Sequence, residues 1–356
     1  SREGELSQAV RCAIQSQRMK TMIYQRAEFH NVVELYDLPD GIGQGLCRIP
    51  LDLRSQLNES AKANAVQGTG CEIRFNLEEE AAIITLQMME RPAIVEIYSG
   101  PFLSDWQVVT TEPTEIMVKR PDRLSRLIAL AEDQEMAFDP MLSRVMLPWR
   151  PPVRLLGLEG AISPPAEGQV PDRRYLAYGS SITHGNSGVR ASGGYARRTA
   201  QRLGVDLINL GFGGGAHCEF EMADYIAGRD DWDLATLELG INMVSWLDTG
   251  IFNERLTYFV QTITEAHPDQ WIFCIDMFPF HMDFDPESEK NHAYRAAVRD
   301  LVEGLEAPTL VYFDGRDLMR DVTGLTADLV HPSPVGMEEI SENLASRIMR
   351  IVDGSD

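Results

Sequence analysis

The sequence predicts two domains, an all-β sandwich followed by a doubly wound α/β domain built on a parallel sheet. Three observations support this fold class. Short β-type runs separated by turn residues fill most of residues 22–148. Six of the 19 prolines then fall within residues 147–173. From there to the C-terminus, strand and helix patterns alternate. A chain of 356 residues is long for one core, so two domains agree with its size.

Residues 1–150 are predicted to form the β-sandwich domain. Residues 3–20 fit a short amphipathic helix, and a second helix is expected through Leu53, Leu57 and Ala61. The predicted strands recur about every ten residues, a spacing typical of sandwiches. They are residues 32–36, 71–75, 82–87, 93–98, 106–110 and 115–119.

Residues 151–172 are predicted to be a proline-rich connector between the domains. Proline has no backbone N–H and a fixed φ, so this density disfavours a continuous helix or a central strand. We therefore expect the segment to lie along a surface.

Residues 173–356 are predicted to form the α/β domain. The expected strands are residues 175–178, 206–212, 234–239, 271–277 and 310–313, and the expected helices are residues 193–203, 219–228, 253–266, 288–305 and 335–352. Five such units indicate a parallel sheet with helices on both faces. Ligands of such sheets bind at the carboxyl ends of the strands, so the chemistry should lie in the loops that follow them.

Composition limits the partners of the protein. The formal net charge of −22 at pH 7 would repel a polyanion, which argues against nucleic acid. No apolar run approaches the roughly 20 residues that a membrane-spanning helix needs. The five cysteines are scattered without a C-x-x-C pair, and the N-terminus has no secretory pattern, so we expect a reducing, cytoplasmic location. The sequence leaves the oligomeric state open.

A serine at the end of the first strand of the α/β domain is the candidate nucleophile. The apolar run 175–178 stops at Gly179, and Ser180 and Ser181 follow before another glycine. Ser181 would then stand where open α/β sheets bind their ligands. The simpler interpretation is that two small polar residues fill a turn.

A serine hydroxyl needs a base, and histidine has the appropriate pKa. Of the seven histidines, His331 is preferred because Asp328 precedes it by one turn and could hold one ring nitrogen. The alternative is an exposed acid beside a turn histidine that precedes a proline. Two further loops carry polar or glycine-rich sequence, Asn209-Leu-Gly-Phe-Gly-Gly-Gly215 and Gly240-Ile-Asn-Met243.

Together these four blocks resemble the SGNH hydrolases, also known as the GDSL family of esterases, lipases and acyltransferases, over roughly residues 174–350. The family's nucleophile block is Gly-Asp-Ser, and Ser180 replaces its middle residue. The resemblance implies a flavodoxin-like fold and a triad of Ser181, His331 and Asp328. It also implies an oxyanion hole formed by the Ser181 amide, the Gly214 amide and the Asn242 side chain. With three adjacent glycines, the assignment to Gly214 could shift by one.

Substrate contacts are expected from apolar and aromatic residues near these loops. The candidates are Phe212, His217, Met243, Trp246 and Phe280. His184 and His217 are interpreted as pocket neighbours without a role in proton transfer. The segment His281-Met-Asp-Phe-Asp285 has no partner histidine or thiolate pair and is expected to be a solvated loop, so no metal or other cofactor is predicted.

Three functions remain open from the sequence. The first is an O-acyltransferase that moves an acyl group from an activated ester or thioester, such as acyl-CoA, to a hydroxyl of a bulky apolar or aromatic small molecule. The second is a hydrolase that deacylates a carbohydrate or small ester. It is favoured by a weaker resemblance of residues 33–36 and 70–75 to the jelly-roll-like, carbohydrate-binding-module-like sandwiches fused to some SGNH esterases. The third is a binding protein whose triad has decayed.

Overall fold

A computed structural model describes residues 21–354. The helix predicted over residues 3–20 lies outside the described residues. Twelve strands precede the α/β domain. They are β1 (Met22–Tyr24), β2 (Ala27–His30), β3 (Glu34–Asp37), β4 (Gln44–Cys47), β5 (Glu72–Leu77), β6 (Ala81–Met88), β7 (Ala93–Ser99), β8 (Phe102–Val109), β9 (Thr114–Lys119), β10 (Leu142–Met146), β11 (Val153–Glu159) and β12 (Ile162–Ser163).

These strands form two antiparallel sheets. One has the order β1-β2-β5-β10-β7-β8, with β12 also paired to β5, and the other has the order β3-β4-β11-β6-β9. Alternate residues of β6, from Ala82 to Met88, are buried, as expected when one face of a strand covers a core. Side chains of both sheets, among them Phe75 and Leu86, share one apolar cluster. The predicted β-sandwich is confirmed.

Part of the predicted connector belongs to the sandwich. β11 lies between β4 and β6, and β12 pairs with β5. The prolines do not prevent this because Pro151 and Pro152 precede β11, whereas Pro164 and Pro165 follow β12. No ladder N–H is therefore lost to proline, and the chain leaves the sandwich only after Ser163.

Between residues 21 and 163, three helices accompany the sandwich, α1 (Leu51–Gln56), α2 (Glu59–Ala65) and α3 (Leu124–Asp133). The single helix predicted through Leu53, Leu57 and Ala61 is thus two helices. The break lies at Asn58, whose side chain accepts the amide of Ala61 and caps α2.

The second domain contains a five-stranded parallel sheet with the order β14-β13-β15-β16-β17. Its strands are β13 (Arg174–Gly179), β14 (Asp206–Gly211), β15 (Leu234–Glu238), β16 (Trp271–Ile275) and β17 (Leu310–Phe313). Its helices are α4 (Ser181–His184), α5 (Tyr195–Leu203), α6 (Phe220–Ala227), α7 (Thr249–Ala266), α8 (Lys290–Gly304), α9 (Gly315–Leu318) and α10 (Pro334–Val352).

Helices cover both faces of this sheet. Leu176 and Tyr178 of β13 belong to the apolar cluster that includes residues of α6, α7 and α8, whereas Tyr175 and Ala177 belong to the cluster with residues of α5 and α10. The first strand lies between the second and the third, which is the flavodoxin-like order. The predicted doubly wound fold is confirmed. No helix within residues 21–354 is long and apolar enough to cross a membrane.

Candidate active site

The turn after β13 presents Ser181 at the carboxyl edge of the parallel sheet. The strand ends at Gly179, and the Ser180 side chain accepts the amide of Ile182, which starts the short helix α4 at Ser181. A Cβ atom at position 179 would collide with the side chains of Thr183 and Glu238. Glycine therefore allows the strand, the turn and the neighbouring β15 to pack this closely.

The structure brings Ser181, His331 and Asp328 together. The Ser181 Oγ lies 2.8 Å from His331 Nε2. The opposite ring nitrogen, Nδ1, lies 2.7 Å from Asp328 Oδ2. With Nδ1–H donating to the carboxylate, Nε2 is left as an acceptor for the serine proton.

Asp328 is itself held in place by several donors. Its Oδ1 accepts the backbone amides of Val330 and His331, each at 2.9 Å, and the Thr326 hydroxyl at 2.8 Å. Partial burial opposes ionisation, but these bonds and the His331 ring outweigh it and hold the pKa of Asp328 well below its ordinary value. The carboxylate is therefore charged and can stabilise an imidazolium at His331.

Three hydrogen-bond donors near Ser181 have no acceptor within residues 21–354. Two are the backbone amides of Ser181 and Gly214, while the neighbouring amides of Gly213 and Gly215 bond to Asn64 Oδ1 and the Phe212 carbonyl. The third is Nδ2 of Asn242, whose Oδ1 accepts the amide of Ala216 at 3.2 Å. Of the three adjacent glycines, this pattern therefore favours Gly214 as the candidate oxyanion-hole donor.

Comparison with known proteins agrees with this geometry. Residues 177–339 match the GDSL-like lipase/acylhydrolase family. These residues form a GDSL domain. The chain is therefore an enzyme that acts on ester bonds. Comparison with curated protein sequences finds no match.

Solved structures resemble both domains together. A salicylyl-acyltransferase from a tetracycline biosynthetic pathway has a TM-score of 0.74 at 20% identity, covering 96% of this chain and 98% of that one. A family two carbohydrate esterase from Cellvibrio japonicus has a TM-score of 0.61 at 14% identity, covering 95% and 98%. An acetyl xylan esterase from Butyrivibrio proteoclasticus has a TM-score of 0.54 at 14% identity, covering 82% and 91%. At these identities the likeness shows a shared fold.

The GDSL domain has a buried carboxylate beneath Ser181 that the sequence analysis did not identify. Glu238, at the end of β15, accepts the Ser180 amide at 2.7 Å, the Ser180 hydroxyl and the Thr183 hydroxyl at 3.0 Å. Burial raises the pKa of Glu238, and these bonds act in the opposite direction. An acid in the otherwise uncharged strand 234–238 was the available signal, since a buried carboxylate needs several donors.

The N-terminal domain forms one wall of the site and holds the loop of residues 211–215, which we call the glycine loop. Asn64 of α2 both accepts the Gly213 amide and donates to the Gly213 carbonyl at 3.0 Å. Arg48 is fully buried and donates to the carbonyls of Asn209 and Gly211 at 2.8 and 2.9 Å, both in the last three residues of β14. No sequence pattern indicates these contacts, because the partners of both side chains are backbone atoms of a distant segment.

A cavity of about 440 Å³ opens above Ser181, within the size range of small-molecule sites. Of the five predicted substrate contacts, Phe280 lines this cavity. Phe212 and Met243 do not, because both are buried in the core beneath it. His217 and Trp246 pack against each other with ring centres 5.1 Å apart and also lie outside the lining.

His184 does line the cavity, as expected for a pocket neighbour. Its two ring nitrogens lie 2.8 Å from the Gly211 carbonyl oxygen and 3.0 Å from the Trp149 carbonyl oxygen. Burial and the positive charge of Arg48 together lower the pKa of His184 to about 3 despite these two carbonyls. The ring is therefore neutral at pH 7 and contacts no atom of Ser181, His331 or Asp328 through a hydrogen bond.

In the acidic segment after Phe280, Asp283 is bound by two side chains of helix α8. Asp283 pairs with Arg295 at 2.8 Å and accepts Asn291 Nδ2 at 2.9 Å. In the part of the chain that the structure describes, no group of three or more His, Cys, Asp or Glu side chains could hold a metal ion.

Proposed function

We propose that this protein is a serine-dependent acyltransferase that forms an acyl-enzyme at Ser181 and passes the acyl group to a hydroxyl of an aromatic or apolar small molecule. The observation that carries the proposal is the alignment of Ser181, His331 and Asp328 at 2.8 and 2.7 Å beneath an open cavity. No metal or other cofactor is required by this chemistry, and an acyl thioester would enter as a substrate.

In the proposed first step, the Ser181 Oγ attacks the carbonyl carbon of the donor while His331 Nε2 takes the serine proton. The resulting oxyanion accepts hydrogen bonds from the Ser181 amide, the Gly214 amide and Asn242 Nδ2. The imidazolium then gives its proton to the leaving oxygen or sulfur. The bond to that atom breaks, and the acyl group remains on the serine.

In the second step, the acceptor hydroxyl gives its proton to His331 Nε2 and its oxygen attacks the acyl carbon. Collapse of the second oxyanion breaks the bond to the Ser181 Oγ, which recovers its proton from the imidazolium. Trp149 and Phe280 line the cavity and would give an aromatic acceptor apolar contact. The fold shared with a salicylyl-acyltransferase over nearly the whole chain supports this choice.

The second candidate is a hydrolase with water as the final acceptor. It is favoured by the polar side chains of the cavity, Asn64, Gln67, Asn186 and Ser245, and by the shared fold with carbohydrate esterases. Both candidates use the same acyl-enzyme, so they differ only in the acceptor of the second step.

Two experiments test these proposals. A fluorophosphonate should label the wild type and not Ser181→Ala, and labelling of both proteins would refute the acyl-enzyme. An aryl ester supplied with increasing concentrations of a phenolic or alcoholic acceptor should yield acylated acceptor in preference to free acid. If only free acid forms at saturating acceptor, the hydrolase is correct.

A further inference from the structure

One charged side chain in the cavity has no part in the acyl-transfer steps. Arg150 lines the same cavity as Ser181, and its guanidinium lies 4.4 Å from the centre of the Trp149 ring. Its side chain forms no hydrogen bond or ion pair with any residue between 21 and 354. Other arginines of the sandwich are paired, such as Arg154 with Asp40 and Arg144 with Glu72.

The charge of the cavity contrasts with that of the whole chain. The chain has a formal net charge of −22, but the residues that line the cavity include no aspartate, glutamate or lysine. Arg150 is thus the one permanently charged side chain of the lining. An anionic ligand would therefore meet a positively charged side chain there, although the net charge of the chain is negative.

An arginine with all its donors available is suited to planar anions. The guanidinium can form two parallel charge-assisted hydrogen bonds with a carboxylate or a phosphate. The Trp149 ring beneath it limits the orientations of the side chain, so less conformational freedom is lost on binding.

We infer that Arg150 binds an anionic group, a carboxylate or a phosphate, on the substrate whose carbonyl lies at Ser181. This inference rests on the proposed acyl-transfer function. The anion has two sources, a carboxylate on the acyl group itself or the phosphates of a thioester donor. The substrate class is therefore an anionic ester or thioester.

A neighbouring side chain also lacks a partner. Gln67 also lines the cavity, and its buried Oε1 atom accepts no hydrogen bond within the described chain. Buried acceptors are seldom left without a donor. A rotation of this side chain towards the cavity would let a hydroxyl or N–H group of the same substrate donate to Oε1.

Two matched pairs of donors test the inference. The first pair is para-nitrophenyl butanoate and the mono-para-nitrophenyl ester of succinic acid, in which a carboxylate replaces the terminal methyl of the acyl group. The second pair is acetyl-pantetheine and acetyl-4′-phosphopantetheine, which differ by one phosphate. For each pair, the ratio of kcat/KM for the anionic over the neutral donor is measured in the wild type, Arg150→Gln and Arg150→Lys.

We expect Arg150→Gln to lower this ratio about tenfold or more in one pair of donors. Arg150→Lys should retain part of the preference for the anionic donor. The pair that responds identifies the source of the anion. Arg91→Gln is the matched control, because Arg91 is exposed and influences Arg150 only through its charge. The ratio in this control should change by less than about threefold.

The outcomes separate this inference from the proposed function. If the wild type turns over the neutral donors and the ratio is the same in Arg150→Gln, the anion site is refuted and acyl transfer stands. If no donor reacts and no fluorophosphonate labels Ser181, the proposed function fails. In that case, calorimetry of succinate and of coenzyme A binding to the wild type and to Arg150→Gln tests the anion site without catalysis. Equal binding to both proteins would refute the site.

Discussion

Glu238 and Arg48 support opposite sides of the candidate active site with opposite hydrogen-bonding roles, one as an acceptor and the other as a donor. Glu238 lies under the nucleophile turn and accepts hydrogen bonds from Ser180 and Thr183. Arg48 lies under the glycine loop and donates to carbonyls, including those of Asn209 and Gly211. Both are almost completely buried, and neither has a counter-ion in the described part of the chain.

This difference shows how each buried ion matches the backbone around it. The turn after β13 begins a helix and offers N–H and O–H donors, so an acceptor with several lone pairs satisfies it. β14 is the edge strand of its sheet, so its outer carbonyls have no strand partner, and a side chain with five N–H donors can bind several of them. A buried charge is tolerated in each place because hydrogen bonds replace its hydration. Removing Glu238 should leave one amide and two hydroxyls without this acceptor, and removing Arg48 should leave four carbonyls without this donor.

The largest effect is expected from placing a second carboxylate beside Glu238. Ser180→Asp restores the acid of the family's nucleophile block, but its carboxylate would lie next to Glu238 in a buried site. We expect a loss of about 3–5 kcal/mol in the free energy of unfolding at pH 8. The loss should be smaller at pH 5, because one of the two carboxyls would then be protonated. Urea denaturation at both pH values measures it.

The double variant Ser180→Asp, Glu238→Gln is the control for this charge repulsion. It keeps one carboxylate, and the introduced amide can donate to it. It should recover most of the stability and the fluorophosphonate labelling that Ser180→Asp loses. Equal stability of Ser180→Asp and the wild type at pH 8 would show that Glu238 is not charged in the folded protein.

The next largest effect is expected at Arg48. Arg48→Met leaves the carbonyls of Asn64, Gln67, Asn209 and Gly211 without this donor. We expect a loss of about 2–4 kcal/mol of stability and a fall in kcat with little change in KM, because the glycine loop would lose its position relative to Ser181. Denaturation would measure the loss of stability and give the folded fraction. Steady-state kinetics, corrected for that fraction, would measure kcat and KM.

Arg74 provides the matched comparison at the other end of β14. Its guanidinium pairs with Asp206 at 2.7 Å and with Glu72 at 2.8 Å, far from the glycine loop along the strand. Arg74→Met should cost about 3–5 kcal/mol of stability by leaving buried carboxylates less well paired. The kcat of the folded protein should stay the same. If Arg74→Met lowered kcat as much as Arg48→Met, a general weakening of the domain contact would explain both results.

The sequence analysis named the three residues of the proposed triad, which the structure brings together, but not the residues that hold their surroundings in place. Ser181, Asp328 and His331 stand at recognisable places, a strand end and a terminal turn, and the order of the blocks matches a known family. Asn64 and Arg48 bind backbone carbonyl and amide groups at the end of β14 and in the glycine loop. Every residue type has these groups, so the sequence of the loop does not reveal which side chains bind to it. Phe212 and Met243 were misplaced because strand-end position alone does not distinguish a cavity wall from the core below it.

A smaller, pH-dependent effect is expected at His184, which shares the Gly211 carbonyl with Arg48. The pKa of His184 is lowered to about 3 by burial first and by Arg48 second. Between pH 6.5 and 3 the unfolded chain takes up this proton and the folded protein does not, so the stability that His184 contributes is present above pH 6.5 and is lost on acidification. The slope is about 1.4 kcal/mol per pH unit.

His184→Gln tests this sign directly. The stability advantage of the wild type over the variant should shrink steadily as the pH falls below about 6.5. Urea unfolding at about pH 7.5, above this window, and at about pH 6.0 and 5.0, within it, provides the measurement. An advantage that stays constant or grows on acidification would mean that the two carbonyls keep the imidazolium in the folded state and that Arg48 does not suppress its charge.

The smallest effect is expected at Asn64, which fixes Gly213 beside the proposed oxyanion donor Gly214. Asn64→Ala removes both hydrogen bonds to Gly213 and should lower kcat about tenfold, equivalent to about 1.4 kcal/mol, with KM changed less than about threefold. Asn64→Asp keeps an acceptor for the Gly213 amide but adds a negative charge near the developing oxyanion, so it should lower kcat further. Lys62→Ala, on the same helix, is the control and should have no effect. If Asn64→Asp were as active as the wild type, Asn64 would serve only to order the loop, and the charge of this wall would not matter to the transition state.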